Sequence, residues 1–360
     1  MRWTGWWAVL FCAIACGGGS SGPSDPGGGG AVTGPDGGVV DAGPSDAGSP
    51  PDCAGLVPAG PGGAVSFDVR TNPGDTCTGS AIDGQGVVAA GVQPAIQPQR
   101  WFVFAAPYGQ SSGNFEAPSI IPQPSGFMGL DVSPLQAATV VVWDGNGGIA
   151  PGCTPSPVGN ASSVVLGRSI DAGVISLSAT PAGLTVRKHD AHAGEVASTT
   201  VSGAFTPRAV VEDASGGVLA VTANGRALSG FWVDLAKGTA GQTFPIGSAT
   251  TVALRPLLGG GVLVQLDGAW AGVMNTGETA LHAVPSWLAS ATDLVPVRGG
   301  KAYALIKGAG AVGIVSAQGS SCGSVTFPGV SSISIGVDGS AAGSTGSGGC
   351  TRYLWRNVLH

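Results

Sequence analysis

Short apolar runs bounded by glycine return along the chain at a nearly constant interval. "DAGVISLSAT", "ASGGVLAVTA" and "LGGGVLVQLD" superpose on Gly173, Gly217 and Gly261 at two steps of 44 residues, and "RGGKAYALIK" and "VDGSAAGSTG" extend the series to Gly300 and Gly339 at steps of 39. One repeat predicts four strands: "RAVVED" from Arg208, "GVLAVTA" from Gly217, "ALSGFWVDL" from Ala227 and "QTFPIG" from Gln242. Gly216-Gly217 and Asn224-Gly225 supply turns between them, the second being a strong hairpin signal. Second strands such as Val218-Leu219-Ala220-Val221 do not alternate between apolar and polar. A strand apolar on both sides has to be covered on both sides.

Third strands can be followed over most of the chain, near Trp101, Val140, Leu184, Phe231, Gly272, Ile314 and Tyr353. Their spacing of about 40 to 47 residues, with four strands per repeat, is the period of a β-propeller blade. The expected fold is all-β: a single β-propeller over residues 53–360, with about seven blades, within roughly six to eight. The chain ends soon after "TRYLWRNVL", a third strand with no fourth to follow. Because an open sheet edge is a liability, "AVSFDV" at Ala64 to Val69 is expected to supply the missing outer strand and close the ring.

Composition agrees with many turns. The chain holds 64 glycines and 26 prolines, a quarter of its 360 residues. Glycine inside a strand or helix costs roughly 0.5 to 1 kcal/mol against alanine, so most of these belong in turns and linkers. Only 10% of residues are charged, the net charge is -6, and lysines and arginines are scattered. No basic stripe is available to neutralise phosphates, which excludes nucleic acid as a partner.

The N-terminus reads as an export signal over residues 1–15. Arg2 precedes the apolar run "GWWAVLFCAIA", which is far shorter than the roughly 20 residues needed to span a membrane. Ala13-Ile14-Ala15 fits cleavage after Ala15, and "AIAC", ending at Cys16, resembles the lipobox of bacterial lipoproteins, which usually carries Leu where this chain has Ala13. The resemblance implies a lipid on Cys16 and a membrane-anchored protein; the alternative is a cleaved and secreted one. Residues 16–52 form a flexible linker, with 24 of the 35 residues from 17 to 51 being Gly, Ser or Pro. Such a segment buries too little to order itself, and its reach is about 30 to 35 Å. In layout the chain is similar to bacterial cell-envelope lipoproteins with a β-propeller domain, without the W-D ending of WD40 repeats or a strict kelch pattern.

An exported compartment permits disulfides. Cys12 leaves with the signal and Cys16 is the lipidation site, so Cys53, Cys77, Cys322 and Cys350 are the candidates for bridges and Cys153 completes the set of seven. Cys53 with Cys77, and Cys322 with Cys350, are closest in sequence, but spacing does not fix connectivity. The absence of C-x-x-C argues against a zinc ribbon or a thioredoxin-like redox pair.

Chemistry-bearing motifs are sparse. "GAGAVG" at 308–313 matches the dinucleotide spacing G-x-G-x-x-G, yet "IVSAQGSSCGSVTFPG" follows where a long helix is required; a hairpin turn is expected there and no cofactor. "GQSSG" around Ser111 matches a nucleophile elbow but lacks the helix that an elbow enters. "HDAH" groups His189, Asp190 and His192, a weak metal candidate set in a loop between third and fourth strands, since zinc needs three protein ligands. "DGNGG" at Asp144 is read as a turn. Trp101, Trp143, Trp232 and Trp355 fall on or beside third strands and are assigned to packing between blades.

No catalytic residue is nominated. The leading expectation is a non-catalytic binding or scaffolding module at the cell envelope, with a protein or polysaccharide partner. One alternative is an enzyme acting through the central tunnel, with Arg208, Glu212, Asp213, Arg255, Asp293 and Arg298 near inner strands. The other is a metal-binding sensor built on the HDAH loop.

Overall fold

The computed structural model describes residues 51–360 except 59, 96, 309, 346–349, 357 and 360. The signal segment, Cys16 and the linker up to residue 50 lie outside the described residues. Strands and short 3-10 turns make up the regular structure, and among the described residues no helix is long and apolar enough to cross a membrane.

The described strands form seven antiparallel sheets, the blades of a β-propeller. Their inner strands are Thr76–Ile82, Ile120–Pro122, Val164–Arg168, Thr206–Glu212, Val252–Pro256, Asp293–Val297 and Ser332–Ile335. Third strands are Arg100–Phe104, Ala137–Trp143, Gly183–His189, Ala227–Asp234, Ala269–Met274, Ala311–Ser316 and Thr351–Trp355, each containing the position expected from the repeat. The fifth blade departs from the four-strand expectation: its sheet has three strands, and the place of a fourth is held by a single bridge between Val273 and His282. Pro285 and the 3-10 turn Ser286–Leu288 follow at once, and proline cannot continue a ladder.

Why the second strands are apolar throughout is visible in the sixth and fourth blades. Side chains alternate across a strand. Ala302 and Ala304 therefore face the seventh blade, while Tyr303 and Leu305 face the fifth. In the fourth blade Val218 and Ala220 pack on the third, whereas Leu219 and Val221 pack on the fifth. Seven buried clusters follow, each shared by two successive blades. The cluster of Phe67, Ile82, Val88, Ala342 and Leu354 joins the last blade to the first, so the ring closes.

Closure uses the strand expected for it. Val65–Asp68 pairs antiparallel with Thr351–Trp355, from Val65 opposite Leu354 to Asp68 opposite Thr351, and becomes the outer strand of the seventh blade. Two disulfides lock the two ends of the chain together, one at this junction and one on Ser321–Thr326, the outer strand of the sixth blade. They join Cys53 to Cys322 and Cys77 to Cys350, across the whole ring and not between sequence neighbours. Cys153 is the free cysteine among the described residues.

Candidate functional site

Blades converge on the axis through their inner strands, whose open edges face a central channel. Pro122, Pro256 and Pro296 lie on those edges, where a residue without an N–H is tolerated because no further strand pairs there. A cavity of about 340 Å³ is lined by inner strands of the second to sixth blades, including Arg168, Arg208, Arg255 and Asp293. A second cavity of about 440 Å³ shares Ile121, Pro122, Arg168, Pro256 and Pro296 with it and adds apolar walls at Ile170, Leu257 and Leu258. The two adjoin at these shared residues.

The charges in the channel are unequal in number. Arg255 forms a two-pronged ion pair with Asp293 of the next blade, Nε to Oδ1 at 2.7 Å and Nη2 to Oδ2 at 3.1 Å, and its Nη1 donates to the Leu254 carbonyl at 3.0 Å. That satisfies the one carboxylate lining this cavity. Arg168 and Arg208 form no side-chain hydrogen bond and no ion pair within 4 Å among the described residues. Burial pushes the Arg168 guanidinium below its ordinary value; Arg255 adds repulsion, and Asp293 opposes both. An arginine nevertheless stays cationic in a protein. Gln123, 4% exposed, lines the wider cavity; its Nε2 donates weakly to the Ile121 carbonyl at 3.4 Å, and its Oε1 is buried with no donor.

Several of the acids proposed near inner strands serve the framework. Glu212 is 3% exposed; it accepts from Lys188 Nζ at 2.7 Å, Ser169 Oγ at 2.5 Å and the Ile170 amide at 3.2 Å. Asp213 joins two blades: Oδ1 accepts from the amides of Ser215 and Gly217, and Oδ2 from the Gly261 amide and the Thr276 hydroxyl. Burial opposes its charge, but the Thr276 and Ser215 hydroxyls and the Gly261 amide outweigh it and lower the pKa. Asp83 repeats the device between the first two blades, taking Gln85 and Val87 amides on one oxygen and the Gly126 amide on the other. There burial wins over those amides and raises the pKa. Arg298 opens the turn Arg298–Gly300, and its side chain lies outside the described part of the structure.

The remaining motifs are dispersed. His189 ends a third strand fully buried, its Nε2 2.8 Å from Ser176 Oγ and its Nδ1 3.4 Å from the Ala193 carbonyl oxygen. It is a core residue and not part of a solvated loop as the pattern suggested, and burial lowers its pKa. Asp190 accepts from the His192 and Gly194 amides, and His192 is exposed. Among the described residues no three His, Cys, Asp or Glu side chains are grouped to hold a metal. Gly308 and Gly310, with φ of 80° and 73°, form the hairpin turn between Ala302–Ile306 and Ala311–Ser316. Ser111 sits in an exposed loop after the strand Arg100–Phe104, and Asp144 caps a turn through the Asn146 and Gly148 amides. Trp101, Trp143, Trp232 and Trp355 are all buried in the packing between blades.

Sequence reasoning named Arg208, Arg255 and Asp293 but missed Arg168 and Gln123. A signal for Arg168 was present: it ends the run "VVLGR" five residues before Gly173, much as Arg255 stands six before Gly261. Nothing local marks Gln123, which lies in the proline-rich stretch.

No family model and no curated protein matches the chain. Among solved structures it is similar in fold to BamB from Moraxella catarrhalis, at 20% identity over 84% of this chain and 92% of that one, with a TM-score of 0.41. It is also similar to a streptogramin B lyase, at 13% identity over 81% and 96% of the two chains and a TM-score of 0.47. A chain of the mitotic checkpoint complex matches at 13% identity over 88% and 97%, with a TM-score of 0.45.

Proposed function

We propose that this chain is an exported lipoprotein whose propeller is a non-catalytic binding module at a bacterial cell envelope. In this reading residues 1–15 are removed, Cys16 carries the lipid, and the linker through residue 52 holds the propeller away from the bilayer. The partner is a protein or a polysaccharide. The observation that carries the reading is the pair of long-range disulfides, Cys77–Cys350 at the ring junction and Cys53–Cys322 on the sixth blade's outer strand. Paired structural disulfides persist in oxidising compartments and are rare where thiols are kept reduced, so the fold is suited to life outside the cytoplasm. A rigid closed ring that presents loops around a channel suits recognition, although a fold by itself does not fix function.

The test is the fate of Cys16. Metabolic labelling with a fatty acid, mass spectrometry of the mature N-terminus and membrane fractionation are compared for wild type and Cys16→Ser. The expected result is a lipid-modified Cys16 in the membrane fraction, with the variant unlabelled and soluble. An unmodified mature N-terminus, or equal partition of both proteins, overturns the anchoring.

A further inference from the structure

The channel holds more positive charge than its own residues neutralise. In a chain with 15 basic residues and a net charge of -6, three arginines and a single aspartate line one cavity at the ring's centre. Arg255 and Asp293 pair with each other; Asp293 also attracts Arg168 from a distance, but neither Arg168 nor Arg208 forms an ion pair of its own among the described residues. The half-buried Arg168 guanidinium loses solvation that an anion would restore, Arg208 stands exposed beside it on the same cavity, and the planar fork of each matches carboxylate or phosphate oxygens.

A second, independent feature lies in the same channel. Gln123 turns its amide nitrogen toward the Ile121 carbonyl and leaves Oε1 buried without a donor. Buried acceptors are seldom left empty, since an unmade hydrogen bond costs about 1 to 3 kcal/mol. A ligand that bears a hydroxyl or amine as well as a negative charge meets both needs. The apolar walls at Ile121, Leu257 and Leu258 cover its carbon skeleton. Cavities of about 340 and 440 Å³ fall within the size range of small-molecule sites.

We propose that the central channel binds a small hydroxylated organic anion, a carboxylate- or phosphate-bearing molecule of the sugar-acid or sugar-phosphate kind. Arg168 and Arg208 hold its charged group and the Gln123 carbonyl accepts from its hydroxyl. This rests on the reading of the propeller as a binding module and names the ligand class for its channel; it does not depend on the lipid anchor.

The test is isothermal titration of the mature chain carrying Cys16→Ser with glucuronate, glucose 6-phosphate, glucose and inorganic phosphate. The two sugar anions separate carboxylate from phosphate recognition, and glucose removes the charge alone. Expected are saturable binding of at least one sugar anion, at least tenfold weaker binding of glucose, and a loss of tenfold or more with Arg168→Met. Because Arg208 is exposed on its inner strand, Arg208→Ala retains the wild-type melting temperature and still weakens the anion several-fold. Binding of glucose as tight as that of the anions, no binding of any probe, or wild-type affinity in both arginine variants overturns the proposal. Binding of inorganic phosphate as tight as that of the sugar anions overturns the hydroxyl contact. Any of these results leaves the Cys16 labelling outcome independent.

Discussion

Removing the disulfides one at a time and together measures how the ring is held shut. Cys77–Cys350 spans 273 residues and Cys53–Cys322 spans 269, and the two interleave along the chain. If either is removed, the other keeps the ends together, and the loop freed consists only of the two short segments 53–77 and 322–350, about fifty residues in all; loop-closure entropy for that length is about 4 kcal/mol. Removing the second then frees a loop of the whole ring, worth roughly 5 to 6 kcal/mol. Cys77→Ala with Cys350→Ala, and Cys53→Ala with Cys322→Ala, should each cost about 4 kcal/mol, and the quadruple variant about 10 kcal/mol, exceeding the sum of the two by about 1.5 kcal/mol. Compactness of the denatured chain trims all three values in the same direction. Guanidinium unfolding of the oxidised chain, followed by fluorescence of buried Trp101, Trp143, Trp232 and Trp355, reads the losses. Two bridges that each contribute less than 1 kcal/mol, or a quadruple variant no weaker than either pair, would refute the argument that chain closure is what they secure.

Two further outcomes concern acid behaviour. Asp213 has a folded pKa below its unfolded value near 3.8, so its contribution is present above that pH and is lost as pH falls through the folded value. Asp213→Asn should cost about 2 to 3 kcal/mol at pH 7 and flatten the fall of Tm between pH 5 and pH 3; an unchanged slope there would count against the inter-blade role. His189 is held neutral by burial, its folded pKa below 6.5, and its stabilising contribution, fully present above 6.5, declines as pH drops through that range. A His189→Gln variant should lose the pH dependence of Tm between pH 7 and pH 5, and added zinc should shift the Tm of neither protein; a zinc-induced rise would restore the metal reading of the HDAH segment.

The blade pattern was legible because it is local. Gly173, Gly217 and Gly261 mark turns, Asn224-Gly225 turns the chain back, and a run such as Val218 to Val221 states that both faces are covered; each signal acts over a few residues, where sequence and backbone conformation are directly linked. Even the closing strand at Val65–Asp68 could be inferred, since the last third strand lacked a partner and an unpaired edge is unfavourable. His189 was misplaced because the polar neighbours of a residue say little about the side of the strand to which it turns.

Only the tertiary structure decided which distant residues meet. Cys77 pairs with Cys350 and not with Cys53 because ring closure brings the two ends of the chain together, a consequence of seven blades summed and of no single spacing. Arg168, Arg208, Arg255 and Asp293, roughly forty residues apart in turn, line one cavity because each lies on an inner strand and the ring sends every inner strand to the same axis. The repeat dictated how each blade folds; the geometry of closure dictated what the blades enclose.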